Sequence, residues 1–117
     1  MERNWDKIRE LLALVATLDN CKRAITPDEG NWEEAEHMAL LIEAGYCTGP
    51  LQRFENGYPH VALCRLTWEG YDLLDSIRDD GVWGKVKQNM TAVGGKISVE
   101  VLKMLATYYL KQAVGLS

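Results

Sequence analysis

The chain of 117 residues has little of what would commit it to a special class of protein. It contains only three cysteines, three prolines and one phenylalanine. No apolar run approaches the roughly 20 residues that a membrane-spanning helix needs. The low proline content excludes a collagen-like or proline-rich chain. Apolar residues make up 47% and charged residues 26%, proportions typical of a soluble globular domain, and we expect a single domain over residues 1–117.

The cysteines and histidines form no recognised metal or catalytic motif. Cys21, Cys47 and Cys64 are widely spaced, and the sequence contains no CxxC pair, so a structural zinc site is not expected. His60 lies four residues before Cys64, but no further residue is placed to orient that pair for nucleophilic catalysis. A glycine-rich phosphate loop, HExxH and GxSxG are also missing. We therefore expect buried thiols and a non-enzymatic protein without metal or cofactor.

Charge is unevenly distributed along the chain, whose formal net charge is −4. Residues 1–30 hold five basic and six acidic side chains (−1), residues 31–80 hold three and ten (−7), and residues 81–117 hold five and one (+4). The acidic middle segment repels phosphate, whereas the lysine-rich end can attract phosphate or an acidic segment. Residues 1–6 carry charges where a signal peptide has its apolar core, so we expect a cytoplasmic protein.

Apolar spacing and capping residues predict the first elements. A helix is expected over residues 5–18, where apolar side chains recur at helical spacing behind Asn4 as the N-cap. A brief strand is expected at residues 23–25. The capping box that begins at Thr26 leaves room for one or two helical turns before Gly30.

A second helix is predicted over residues 32–44, between a capping signal at Asn31 and a C-terminal cap at Gly45. Its buried stripe is expected to consist of four apolar side chains: Ala35, Met38, Ala39 and Ile42. Its outer face is expected to carry mainly acidic side chains: Glu33, Glu36, His37, Leu40 and Glu43.

Residues 46–51 and 61–66 are predicted to form a hairpin, with Glu55-Asn56-Gly57 as a favourable turn between them. Thr67 is expected to cap a helix over residues 68–78. That helix is expected to bury Tyr71, Leu74 and Ile77.

Two more helices are predicted at the end of the chain. Asp80 is the expected N-cap of the first, which holds Val82, Trp83 and Val86 and ends at Gly94-Gly95. Ser98 is the expected N-cap of the second, which runs to about Ala113.

The order of these elements is that of a winged helix-turn-helix domain. We expect a mainly α chain with a small β-hairpin wing at residues 46–66. Residues 1–80 would form the core, and residues 81–117 a C-terminal helical extension. Among the tryptophans, Trp68 and Trp83 are expected near apolar stripes, whereas Trp32 is the one expected to be exposed. Four aspartates are expected to form a solvated acidic face with Asp80 as a cap: Asp72, Asp75, Asp79 and Asp80.

Two phrases, HMALLIEAGY at residues 37–46 and LTWEG at residues 66–70, resemble the passage into and out of the wing in bacterial regulators. The run RLTWEGYDLLDSIRDDGVWGKVK at residues 65–87 resembles the bacterial and prophage family called domain of unknown function 2513. That family also shows a Gly-Gly turn and a last helix like residues 97–110. The resemblance implies a winged-helix-like fold in a mobile-element context and no known activity. Residues 19–30 depart from the family pattern, because the second helix of the winged-helix fold, which precedes residues 32–44, is truncated there.

Two function classes remain open. A winged-helix transcriptional regulator would insert residues 32–44 into the major groove of DNA, with backbone contacts from Lys22, Arg23 and Arg53. That helix has no lysine or arginine, however, and its acidic side chains repel phosphate. A protein-interaction module would instead place the outer face of residues 32–44 against a basic partner, as a prophage accessory or anti-defence factor. We favour this second class.

The last helix predicts self-association. Residues 97–116 hold more apolar side chains than one core-facing stripe needs. Val101, Leu105 and Tyr108 are expected to face the core, with Leu102 as a further candidate, and Met104, Tyr109 and Leu110 are expected beside or behind that stripe. Such a patch favours a homodimer, unless the helix lies wedged between the first helix and residues 82–90.

Overall fold

The computed structural model describes residues 3–17, 24–25, 32–49, 51–53, 59–62 and 65–115. Within these residues the chain is mainly helical, with five helices and two small antiparallel sheets. The chain divides into two compact units, residues 1–72 and residues 73–117. Among the residues described, no helix is both long enough and apolar enough to cross a membrane. The elements in chain order are α1 (Trp5–Thr17), β1 (Ala24–Ile25), α2 (Trp32–Glu43), β2 (Cys47–Thr48), β3 (Leu51–Arg53), β4 (Pro59–Ala62), β5 (Arg65–Leu66), α3 (Trp68–Ile77), α4 (Asp80–Ala92) and α5 (Val99–Ala113).

Helix α1 begins where the sequence predicts. The side chain of Asn4 accepts a hydrogen bond from the backbone N–H of Lys7 at 3.1 Å, which satisfies one of the free donors at the helix start. The predicted apolar stripe is buried and forms much of the core of the first unit: Trp5, Ile8, Leu11, Leu12 and Val15.

The strands form a broken hairpin with one added strand. In the three-stranded sheet, β4 pairs with β3 on one side, with Leu51 opposite Val61, and with β1 on the other, with Ala24 opposite Ala62. Closer to the helices, β2 pairs with β5, with Cys47 opposite Leu66. The predicted hairpin and the predicted strand near residue 24 are therefore confirmed. The turn at residues 55–57 and the capping box at Thr26 lie outside the described residues.

Helix α2 ends in a glycine cap that turns the chain into β2. Gly45 has φ of +86°, a conformation that favours glycine. Its N–H donates to the carbonyl of Ile42 at 3.1 Å, and the N–H of Tyr46 donates to the carbonyl of Leu41 at 2.9 Å. This pair of bonds defines a Schellman motif and confirms Gly45 as the C-terminal cap. Met38 is buried as predicted, but Ile42 is only half-buried, and Leu41 is buried in its place.

Helix α3 follows β5 directly and buries Leu73, Leu74 and Ile77. The prediction that Tyr71 belongs to the buried stripe is wrong, because this side chain is exposed. The buried side of α3 runs through Leu73, Leu74 and Ile77, and Tyr71 lies at the edge of that side, next to Leu74 and nearly opposite Leu73.

In the second unit, α4 buries Val82, Trp83, Val86 and Met90. Its N-cap is Asp79 and not the predicted Asp80. Asp79 has an extended backbone, and its carboxylate accepts from the N–H of Val82 at 2.9 Å, whereas Asp80 is already the first helical residue. Ser98 caps α5 as predicted, accepting from the N–H of Val101 at 3.2 Å.

The face by which α5 packs agrees only in part with the predicted one. Leu102, a candidate for the core-facing stripe, is buried together with Ala106, and α5 contacts α4. Val101 and Tyr108, which were predicted to face the core, are exposed. The apolar residues of this helix occupy its whole circumference, so their spacing could not distinguish the two sides.

Candidate interaction surface

The outward side of α2 is acidic. Glu33 and Glu43 are exposed, and Glu36 and Leu40 are half-buried, while α2 contains no lysine or arginine. With 3.6 residues per turn, these four positions follow one another along a single side of the helix. We call them the acidic face. They match four of the five residues predicted for the outer side of this helix.

The fifth predicted residue, His37, is fully buried, so its assignment to the outer side is wrong. The backbone N–H of Asn4 donates to Nε2 of His37 at 2.9 Å, and Nδ1 donates to the carbonyl of Glu33 at 2.8 Å. Helix α2 contacts α1, β2 and β4, and this coverage extends beyond the predicted apolar stripe to position 37. His37 therefore joins the start of α1 to the first turn of α2.

Two aromatic side chains on α3 are exposed, and the sequence reasoning assigned both to apolar stripes. Trp68 is 80% exposed and Tyr71 is 46% exposed. They are three residues apart on one helix and therefore lie side by side. We call them the aromatic pair. The exposure of Trp68 follows once the buried side of α3 is known. That side is formed by Gly70, Leu73, Leu74 and Ile77, and Trp68 lies on the opposite side of the helix.

The first turn of α3 is fixed against the end of α2. The hydroxyl of Thr67 donates to the carbonyl of Gly45 at 2.6 Å and accepts from the N–H of Gly70 at 3.1 Å. The N–H of Thr67 donates to the carbonyl of Tyr46 at 3.0 Å. These bonds fix the first turn of α3, which carries the aromatic pair, against the backbone that follows α2.

Gly70 allows this close approach. A side-chain Cβ built on Gly70 overlaps the carbonyl oxygen of Tyr46 and lies 3.0 Å from its carbonyl carbon. The missing side chain therefore lets the first turn of α3 pack directly against the backbone at Tyr46. Since both Thr67 and Gly70 fix the start of α3, Trp68 is exposed on a rigid support.

The charge distribution follows the two compact units. The first unit, residues 1–72, has seven basic and thirteen acidic side chains, a net charge of −6. The second unit, residues 73–117, has six basic and four acidic side chains, a net charge of +2. The acidic face therefore belongs to a unit that is negative as a whole, and it attracts cationic partners and repels phosphate.

The structure does not describe the side chains of the positions predicted to contact nucleic acid. Lys22 and Arg23 lie outside the described residues. Arg53 is the last residue of β3, and its side chain is not among those described. These three residues stay predictions.

No group of three or more His, Cys, Asp or Glu residues is arranged to hold a metal ion within the described ranges. Cys47 is buried, as expected for a structural thiol. The four aspartates at positions 72, 75, 79 and 80 are all exposed, as predicted.

Of the residues predicted for dimerisation, Met104 is 71% exposed, whereas Tyr109 and Leu110 are half-buried. Asn89 donates to the hydroxyl of Tyr109 at 2.6 Å, and the ammonium of Lys85 lies 5.7 Å from the centre of its ring. Tyr109 therefore connects α5 to α4. Val101 and Tyr108 accompany Met104 on the exposed side instead.

The structure thus defines a mainly helical α+β protein with an acidic face on α2 and an exposed aromatic pair on α3. Residues 2–96 match the family described as "Hypothetical protein (DUF2513)", so the chain belongs to that family. It is also similar to an uncharacterized protein of Haemophilus influenzae, with 30% identity over 116 residues, which are 96% of this chain and 98% of the relative. No solved structure matches the chain.

Proposed function

We propose that this chain is a non-enzymatic protein-interaction module on a winged-helix scaffold, which binds a basic surface of another protein. The observation that carries the proposal is the exposure of Trp68 on a rigid helix start. Tryptophan and tyrosine are enriched among the residues that dominate binding energy at protein interfaces. Burial of a tryptophan ring is favourable, and an exposed ring does not contribute this free energy to folding. A partner that covers Trp68 therefore gains the same free energy on binding.

The chemistry of the partner follows from charge. The acidic face lies in a unit with a net charge of −6, so a surface rich in lysine and arginine complements it. Arginine can also stack on the rings of Trp68 and Tyr71. Nucleic-acid-binding proteins carry such basic surfaces. Our proposal therefore includes the prophage accessory or anti-defence role, in which the chain blocks a nucleic-acid-binding protein of the host.

The winged-helix assignment rests on the order α2, hairpin, α3. The strands β3 and β4 form the hairpin, and Thr67 returns the chain to the end of α2. In this interpretation α2 occupies the position of the recognition helix. The acidic face then takes the place of the basic surface that a DNA-binding member would need.

The test begins with capture from a nuclease-treated bacterial lysate by wild type and by Trp68→Ala. Candidates lost from the variant are purified and titrated directly by calorimetry. A purified partner should bind Trp68→Ala about 30-fold more weakly, as expected when a central interface residue is removed. Glu33→Gln with Glu43→Gln should weaken binding and reduce its dependence on salt.

Gln88→Ala supplies the matched control, because Gln88 is exposed on α4 in the other unit. It should bind as wild type does. If Trp68→Ala and the glutamine variants bind every purified partner as tightly as wild type, the proposed surface is wrong.

A DNA-binding regulator is the second candidate, and the hairpin that follows α2 favours it. An electrophoretic shift assay at low and moderate salt separates the two candidates. Nanomolar, salt-sensitive binding supports the regulator. In that case the combined change Glu33→Gln, Glu36→Gln and Glu43→Gln should strengthen non-specific binding, because it removes three charges that repel phosphate. No shift at low salt excludes the regulator and leaves the interaction module.

We propose in addition that the chain forms a homodimer through its C-terminal helix. The support is the exposed apolar side of α5, which contains Val101, Met104 and Tyr108. Contiguous apolar patches on soluble proteins usually mark interfaces, and two-fold pairing is the commonest way for one chain to cover its own patch.

A further inference from the structure

The outer side of α5 has the pattern of a helix–helix seam. Val101 is 42% exposed, Met104 71% and Tyr108 56%. Their spacings of three and four residues are those of the a and d positions of a heptad. Lys111 continues the spacing, and Lys103, Met104, Thr107, Tyr108 and Lys111 line one shallow groove along the helix.

The inner side of α5 is already occupied, so the seam is not an alternative packing face for α4. Leu102 and Ala106 are buried, and Tyr109 is held by its hydrogen bond from Asn89. Tyr108 packs edge-on against Tyr109, with ring centres 5.1 Å apart and an interplanar angle of 75°. The exposed ring of Tyr108 is therefore oriented by a neighbour that is itself fixed.

The charges along α5 favour an antiparallel pairing of the seam with the same seam of a second copy. Glu100 lies at the start of the helix and Lys111 in its last turn. When two copies run antiparallel with Met104 opposite Tyr108 of the second copy, Lys111 lies opposite Val101 of that copy. Lys111 is then within one helical turn of the second copy's Glu100, and the two-fold axis repeats the ion pair.

A parallel pairing would place Glu100 beside Glu100 and Lys111 beside Lys111. Like charges at those positions are unfavourable, and parallel helix dipoles add to the repulsion.

We infer that two copies of this chain associate through an antiparallel pair of α5 helices, with Met104 opposite Tyr108 and reciprocal ion pairs between Glu100 and Lys111. This inference rests on the proposed homodimer and adds its direction and register. A single helix pair buries less surface than the roughly 1,200 Å² of a standard stable interface, so the dimer dissociates in the micromolar range.

Sedimentation equilibrium over micromolar concentrations, with circular dichroism to verify folding, measures the dimer dissociation constant of each variant. Met104→Glu should raise that constant at least tenfold, because it puts two carboxylates into the apolar seam. Gln88→Glu adds the same charge on an exposed position of α4 and should leave the constant unchanged.

A charge exchange tests the direction. Glu100→Lys alone and Lys111→Glu alone should each raise the dissociation constant about fivefold to tenfold, since each creates two like-charge pairs. The double variant, Glu100→Lys with Lys111→Glu, should return it to the wild-type value. In a parallel dimer neither single change creates a new like-charge pair, so the dissociation constants of the single variants, the double variant and wild type would be similar.

The outcomes separate the two proposals. Monomer at every concentration overturns both the homodimer and its geometry. A dimer that is insensitive to Met104→Glu retains the homodimer and refutes the α5 seam. A dimer that Met104→Glu disrupts but that the double variant does not restore refutes the antiparallel register alone.

Discussion

Replacing Gly70 with alanine should destabilise the protein, whereas the same replacement at Gly84 should stabilise it. Both glycines lie inside helices, Gly70 in α3 and Gly84 in α4. A Cβ at Gly84 meets no atom within 4 Å, but a Cβ at Gly70 overlaps the backbone carbonyl of Tyr46. The two substitutions are chemically identical, so any difference between them reports on the contact at Tyr46.

The expected magnitudes have opposite signs. Alanine is favoured over glycine in a helix interior by about 1 kcal/mol, and Gly84→Ala should gain most of this amount. At Gly70 the clash with Tyr46 is with backbone, which cannot rotate away, and overpacking of this kind costs about 1–3 kcal/mol. Displacing α3 also weakens, without breaking, the Thr67 bonds to Gly45 and Tyr46, each of which contributes about 1 kcal/mol when intact. The net loss should be about 2 kcal/mol.

Urea unfolding followed by far-ultraviolet circular dichroism measures both effects. With a slope of about 2 kcal/mol per molar urea for a small domain, Gly70→Ala should lower the midpoint by about 1 M. Gly84→Ala should raise it by up to about half that shift. A Gly70→Ala midpoint at or above that of wild type would refute the close contact between α3 and Tyr46.

Three further changes test the hydrogen bonds that fix the helices. His37→Leu keeps most of the buried volume but leaves the N–H of Asn4 without an acceptor, and should cost about 1–3 kcal/mol in thermal or urea unfolding; an unchanged stability would contradict the bond to Asn4. Thr67→Ala should cost about 1–2 kcal/mol while Thr67→Ser retains most of the stability, and equal losses in the two variants would show that the hydroxyl is not what matters. Tyr109→Phe removes the acceptor for Asn89 and should cost about 1 kcal/mol, and faster amide exchange in α5 should accompany the loss.

The sequence predicts the boundaries of the elements well because capping is a local property. Asn4, Gly45 and Ser98 act as caps at the positions where their side chains or backbone preferences suggest. The error at Asp79 is one residue, since two adjacent aspartates offer the same chemistry and only the backbone angles decide which one caps α4.

The faces of the helices are less well predicted, because burial depends on how many neighbours cover a helix. Helix α2 is covered widely enough to bury a histidine that a single apolar stripe places outside. In α3 the wrongly assigned residue is Trp68, which is large and apolar. It is exposed because the contact of Gly70 with Tyr46 fixes which side of the helix is buried. The acidic face could be predicted because glutamate side chains are rarely fully buried. The exposure of the aromatic pair could not be predicted, because an analysis of apolar spacing counts every aromatic side chain as a core residue.

The exposure of Trp68 also gives the protein an internal optical reporter. Trp5 and Trp83 are buried, so their indole rings emit from an apolar environment and are shielded from aqueous quenchers. Trp68 emits from water and is accessible to iodide or acrylamide. A ligand that covers this ring shifts its emission to shorter wavelength and protects it from quenching, and comparison with Trp68→Phe separates this signal from that of the other three tryptophans. The unlabelled wild-type chain can therefore report whether a partner covers Trp68.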